Sequence, residues 1–170
     1  MAQKTSLRDF QAYLAERLTS AAKGHGAASW LGLQAGETHW LIDLTDSGEI
    51  IQTPRLTQVP LTHPWFAGVA NIRGNLHSVV DFSMFCGSGP TARNNNARLL
   101  LVGTRYGTNA ALLVSRMLGL KNPADFSPEK ADSGAAQWEV ARFSDTQGKI
   151  WRKLSVRALL ENHEFMNIGA

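Results

Sequence analysis

The sequence predicts a mainly all-β protein made of two small barrels related by pseudo-symmetry. One helix stands ahead of the first strand and a short one follows the last. Three observations carry this reading. Glycine is frequent, at 15 of 170 residues, which favours many tight turns, as in β-rich folds. The apolar runs are short, and the longest, Ala110 to Val114, is strand-sized. One segment also has an echo. Val69-Ala70, a turn with Gly74, Leu76 to Val80, Asp81 and Phe82 make one copy; Val140-Ala141, a turn with Gly148, Ile150 to Leu154, Ser155 and Val156 make the other. In both, the second strand ends on a residue able to cap a helix. Few identities are shared, so the repeat is one of pattern.

Taken in order, residues 5–22 read as an amphipathic helix. Ser6 and Asp9 have capping-box spacing, Leu7, Phe10, Leu14, Leu18 and Ala21 recur at helical intervals, and Lys23-Gly24 supplies the stop. Residues 1–26 are thus a helix and linker, and 27–170 hold the β domain. Ser29 to Leu33 and Thr38 to Leu44 form a hairpin about Ala35-Gly36-Glu37. Asp46-Ser47 is expected to cap a brief turn through Glu49-Ile50-Ile51. After the breaks at Pro54 and Pro60 comes the most informative stretch, Trp65 to Phe85. Its strands Ala67–Ile72 and Leu76–Val80 flank a turn at Arg73-Gly74-Asn75, and Asp81 caps a short helical turn. Trp65, after Pro64, is either an exposed interface aromatic or core. Cys86 to Ala97 is a loop. Arg98 to Val102 and Thr108 to Val114 are strands about Arg105-Tyr106-Gly107. Ser115 to Leu120 is extended or a short turn, and Lys121 to Ala136 is a long connection. Trp138 to Phe143 and Lys149 to Leu154 are the last strands, and Ser155 caps a final helix, Val156 to Phe165.

Composition narrows the function. Hydrophobic residues at 44% and charged residues at 18% are ordinary for a globular domain. The net charge of +3 comes from scattered Lys and Arg without an aromatic-interleaved basic stripe, so nucleic acid is not an expected partner. The single thiol, Cys86, excludes an intramolecular disulfide and fits a reducing cytoplasm. No apolar run reaches the length of a membrane span, and no apolar leader segment opens the chain, so direct membrane insertion is not expected and a cytoplasmic location is. The histidines at 25, 39, 63, 77 and 163 show no ligand spacing, so no metal is expected. Cys86 reads as a small hydrophobe, Ser88 lacks a nucleophile elbow, there is no phosphate loop, and Asp43, Asp46 and Asp81 read as caps. No catalytic residue and no cofactor are assigned. That leaves a binding or scaffold role, with two alternatives: a small cytoplasmic enzyme using Cys86 or a His, or an unrelated β-barrel binding module.

Gly68-Val69-Ala70-Asn71-Ile72-Arg73-Gly74, followed by Val79-Val80-Asp81-Phe82, resembles the hallmark of the CheW-like domain. Its members read G-V-x-N-L-R-G and then, four or five residues on, V-x-D-L; here Ile72 and Phe82 replace the two leucines. The resemblance runs from about Ser29 to Leu160. It implies two five-stranded, SH3-like barrels and a non-catalytic adaptor that couples a methyl-accepting chemoreceptor to the regulatory domain of a CheA-type histidine kinase at membrane receptor arrays. Carried over, receptor contact falls on Asn71, Ile72, Arg73 and Gly74 of the hairpin tip, and on Glu49 and Ile50 of the segment after the second strand. Arginine's planar fork suits such a contact. Alternation sets Ile72 on the face opposite Asn71 and Arg73, toward the barrel, so its place in a contact surface stays open. The N-terminal helix, the five tryptophans and Ser155 in place of a strand-end Asp are similar to the pilus-type (twitching motility) branch of the family.

Overall fold

The structure, a computed structural model, describes residues 29–170. The expected helix over 5–22 lies outside the described residues.

The chain begins with β1 (Trp30–Ala35) and β2 (Thr38–Asp43), the predicted first hairpin, with Ala35 paired to Thr38 across its turn. A 3-10 turn (Leu44–Asp46) leads into β3 (Ser47–Gln52). Next come β4 (Phe66–Ile72), β5 (Asn75–Asp81) and helix α1 (Phe82–Phe85). The second half holds β6 (Arg98–Val102), β7 (Ala110–Val114), β8 (Arg116–Lys121), β9 (Ser127–Glu129), β10 (Glu139–Ser144), β11 (Ile150–Leu154), α2 (Val156–Glu161) and α3 (His163–Met166). They form two sheets, ordered β8-β1-β2-β11-β10-β9 and β3-β6-β7-β5-β4. We call these the β11 sheet and the β5 sheet.

The echo in the sequence is visible in this order. Reading β4-β5-β7-β6-β3 against β10-β11-β2-β1-β8 matches hairpin to hairpin and edge strand to edge strand. The two matched hairpins join through a parallel pair in each sheet, β5 with β7 and β11 with β2. The chain changes sheet after β2 and again after β7, so β3 to β7 build the β5 sheet as one continuous segment, and the β11 sheet is assembled from the two flanking ones. β9 is an addition to the β11 sheet without a counterpart.

Alternation along β6 and β7 explains how the sheets pack. Leu100, Val102, Leu112 and Val114 join Leu31, Leu33, Trp40, Ile42 and Leu154 in a core between the sheets. Leu99, Leu101, Ala111 and Leu113 point the other way, into a second core with Ala70, Ile72 and Val79. Both faces of these strands are therefore buried, which is why they read as unbroken apolar runs.

The all-β, two-unit reading holds, and three local expectations are corrected. Glu49-Ile50-Ile51 is strand, not a capped turn, because Ile50 and Ile51 pair with Leu100 and Leu99; the turn comes one step earlier. The connection after Lys121 contains strand β9, paired to β10. The last helix divides at Asn162, whose backbone is extended (φ −73°, ψ 124°) and whose side chain accepts from the Phe165 N–H; an Asn carboxamide competes with helix propagation in this way. Trp65 is core, edge-on to Phe85. Asp81 caps α1 as expected, and its carboxylate also accepts from the Thr91 N–H (2.8 Å) and hydroxyl (2.7 Å), tying the following loop down.

Candidate functional site

The tip between β4 and β5 is a two-residue turn in which Arg73 (φ 51°) and Gly74 (φ 83°) both take positive φ. That is the twist a tight hairpin needs. Gly74 has open space where a Cβ would stand, so glycine serves its backbone angle there, not a close approach. Arginine in the left-handed region costs about 1–2 kcal/mol. Two contacts offset it. The Asn71 side-chain oxygen accepts from the Gly74 N–H at 2.9 Å, and the Arg73 guanidinium pairs with Glu49 Oε1 at 2.5 Å.

The second contact organises the site. Glu49 lies on β3 and Arg73 at the end of β4, and these are the two outermost strands of the β5 sheet. The ion pair therefore spans the sheet's two edges and brings together the two elements that the family resemblance marks. Both side chains are well exposed, at 75% and 42%. An exposed pair of this kind contributes about 0.2–1 kcal/mol to stability. Its main effect is positional: it fixes one edge of the guanidinium and leaves other donors toward solvent. Apolar side chains accompany it. Ile50 follows Glu49 and is exposed, and Leu76, cross-strand partner of Asn71, is 62% exposed. Ile72, by contrast, is buried in the second core and anchors the tip from beneath. The structure thus brings Asn71, Arg73, Gly74 and Glu49 together, leaves Ile50 exposed one residue along β3 on the face that Leu100 shares, and sets Ile72 behind the tip.

A neighbouring cluster was not legible in the sequence. Asp46, read as a cap, is buried and accepts from the Tyr106 hydroxyl at 2.9 Å. It also pairs with Arg105 at 2.5 Å, and its backbone oxygen accepts from the Gly103 N–H. The hydrogen bond to Tyr106, seconded by attraction to Asp46, raises the Arg105 pKa. Burial raises that of Tyr106. The cluster locks the turn before β3 onto the turn between β6 and β7 and so sets where Glu49 stands. Its partners are 60 residues apart, and no local spacing announces them.

Cys86 sits among groups that suppress its reactivity. Burial, against a weaker opposing pull from the Trp138 indole, pushes its thiol up to about 12, and a nucleophile needs the thiolate. Among the described residues no cluster of three His, Cys, Asp or Glu side chains could hold a metal ion, and no helix is long and apolar enough to cross a membrane.

The chain is thus two interlocked β units with an ion-paired, exposed hairpin tip. The chain belongs to the CheW-like domain family, whose model matches residues 29–164. It is a CheW-like adaptor similar to Protein PilI of Pseudomonas aeruginosa, with 27% identity over 152 residues, 87% of this chain and 85% of that protein. Its fold is similar to that of scaffolding protein TtCheW from Thermoanaerobacter tengcongensis, with a TM-score of 0.67, 18% identity, and coverage of 81% of this chain and 95% of that one.

Proposed function

We propose that this chain is a non-catalytic adaptor that couples a methyl-accepting chemoreceptor to the regulatory domain of a CheA-type histidine kinase, in the system controlling type IV pilus twitching motility. In this reading it is cytoplasmic and recruited to receptor arrays, with residues 27–170 as the adaptor domain and 1–26 as an appended helix and linker. The receptor meets the surface of Asn71, Arg73, Gly74, Glu49 and Ile50. The observation that carries this is the Arg73–Glu49 pair, which joins the two family-marked elements into one exposed patch. An interface centred on an exposed arginine beside apolar side chains has the composition of a binding hot spot.

Titration of the chain with a receptor cytoplasmic fragment and with a kinase regulatory domain tests this. Arg73→Glu is expected to weaken receptor binding at least tenfold while leaving kinase binding in place and lowering Tm by no more than about 4 °C. The double variant Arg73→Glu with Glu49→Arg rebuilds the ion pair with reversed polarity. If it restores receptor binding, the pair is only a structural tie and the contact assignment fails. If neither partner binds the wild-type chain, the adaptor reading itself fails.

A further inference from the structure

The two sheets share a strand order, but their inner faces differ in chemistry. Aligning the capping residues Asp81 and Ser155 sets Val79 against Lys153, Leu101 against Gly32, Leu99 against Trp30 and Leu113 against Asp43. In the β5 sheet these positions form a buried aliphatic cluster. In the β11 sheet they hold a cation, an anion, an indole and no side chain. The Lys153 side chain is 9% exposed, paired with Asp43, and its ammonium lies 5.1 Å from the Trp30 ring centre. The room left at Gly32 is taken by Lys121, whose Cε is 3.0 Å from where a Cβ would stand, and by the Trp151 ring. Burying a cation is costly against an aliphatic replacement, and the sister unit shows that the fold itself does without one.

This face ends in a cross-strand row, Arg116–Gln34–His39–Trp151, in register over four strands. Beside it opens a cleft of about 560 Å³, within the size range of small-molecule sites. Arg116, Lys121, Lys149 and His39 line it, against Asp125 and Asp145. Asp145 is occupied within its own turn, accepting from the Trp151 indole (3.0 Å) and from the N–H groups of Gln147 (2.9 Å) and Lys149 (3.0 Å). Arg116 donates its Nε to Gln34 at 2.8 Å, which steers the outer fork of the guanidinium toward the opening. Lys149 is exposed and forms no ion pair among the described residues. The local field registers on His39. Burial lowers its pKa from 6.5, and Lys149 and Arg116 lower it further against the smaller opposing pulls of the Glu37 backbone and Asp145.

We propose that this cleft is a binding site for a small anion carrying at least two negative charges, a phosphate or a dicarboxylate, held between Arg116 and Lys149 with Lys121 at its floor. Guanidinium forks match both anions bidentately. The site is independent of the receptor-contact surface, which lies on the other sheet.

The test is an NMR titration of the full chain with pyrophosphate, with malonate, and with chloride at matched ionic strength. The Trp151 indole N–H and the His39 ring are the reporters. A saturable shift with pyrophosphate or malonate, Kd at or below about 1 mM, supports the site, and the tighter probe identifies the anion class. The His39 pKa must also rise on binding, because linkage is reciprocal. Arg116→Gln with Lys149→Gln, both at exposed positions, is expected to weaken binding at least tenfold with an unchanged melting curve. The proposal is overturned if chloride reproduces the shifts, if neither probe saturates, or if the double variant binds as well as the wild type.

Discussion

Replacing Gly68 by alanine should be the most damaging single-methyl change in the β5 sheet. Gly68 sits at a bulge in β4 with φ +127°, and an added Cβ would lie 2.3 Å from the Thr57 carbonyl oxygen. Real Cβ contacts do not fall below 3.0 Å, so Thr57 must retreat by at least the difference, 0.7 Å. Its oxygen accepts from the Val69 N–H at 2.9 Å, and its own N–H donates to Val69 at 2.8 Å, so both bonds of this bridge stretch or break. Each hydrogen bond contributes about 1 kcal/mol, and alanine at this φ adds about 1–2 kcal/mol. The expected loss is about 3–4 kcal/mol, or roughly 8–14 °C in Tm for a domain of this size. Gly74→Ala is the internal control. It has positive φ but nothing within 4 Å of the new methyl, so it should lose only the backbone share, about 1–2 kcal/mol. Urea unfolding followed by tryptophan fluorescence measures both, with unchanged m-values as the check that only stability moved. Equal losses for the two variants would refute the close-approach argument, since the Thr57 carbonyl is what separates them.

Asp81→Ala removes the acceptor for the Met84 N–H and for both donors of buried Thr91. It should cost about 3 kcal/mol, with loss of hydrogen-exchange protection at Thr91. Cys86, with its thiol near 12, should react with iodoacetamide at pH 8 on the order of a thousandfold more slowly than a free cysteine, and recover normal reactivity in urea; fast labelling of the native chain would contradict the burial argument. The Trp151 indole, then the Lys149 and Gln147 N–H groups, hold the Asp145 pKa below 3.8 against some desolvation. A carboxylate depressed in the folded state contributes stability that is full above the unfolded value and lost as pH falls through the folded one. The Trp151 indole N–H resonance should therefore hold steady down to about pH 4 and move only below it, and Asp145→Asn should remove that transition.

What the sequence made legible was whatever local chemistry decides. The Arg73-Gly74 turn, the Asp81 and Ser155 caps and the first hairpin each follow from residues within a few positions of one another, and the echo between the halves could be read because it consists of just such signals. The errors share the opposite cause. Glu49 to Ile51 carries a capping signal ahead of it and becomes strand only because β6, some fifty residues on, lies beside it. Ser127-Pro128-Glu129 has no apolar alternation and is a strand only through its pairing with β10. The same division runs through the site. The tip and the Glu49 segment were each nominated, one by turn chemistry and both by family likeness, yet their ion pair exists only because the sheet's two edges approach each other. Asp46 reads as a cap in the sequence because its partner, Tyr106, is remote. The contrast between the inner faces belongs here too. Turn and cap chemistry constrains both units alike and so repeats. The residues pointing inward answer only to what fills each interior, and there the repeat is free to diverge, into aliphatic packing in one unit and buried charge in the other. A degraded repeat is thus informative at the positions where it fails: Lys153, Gly32 and Asp43 mark the unit whose inner face is held by an ion pair and an indole where its sister uses aliphatic side chains.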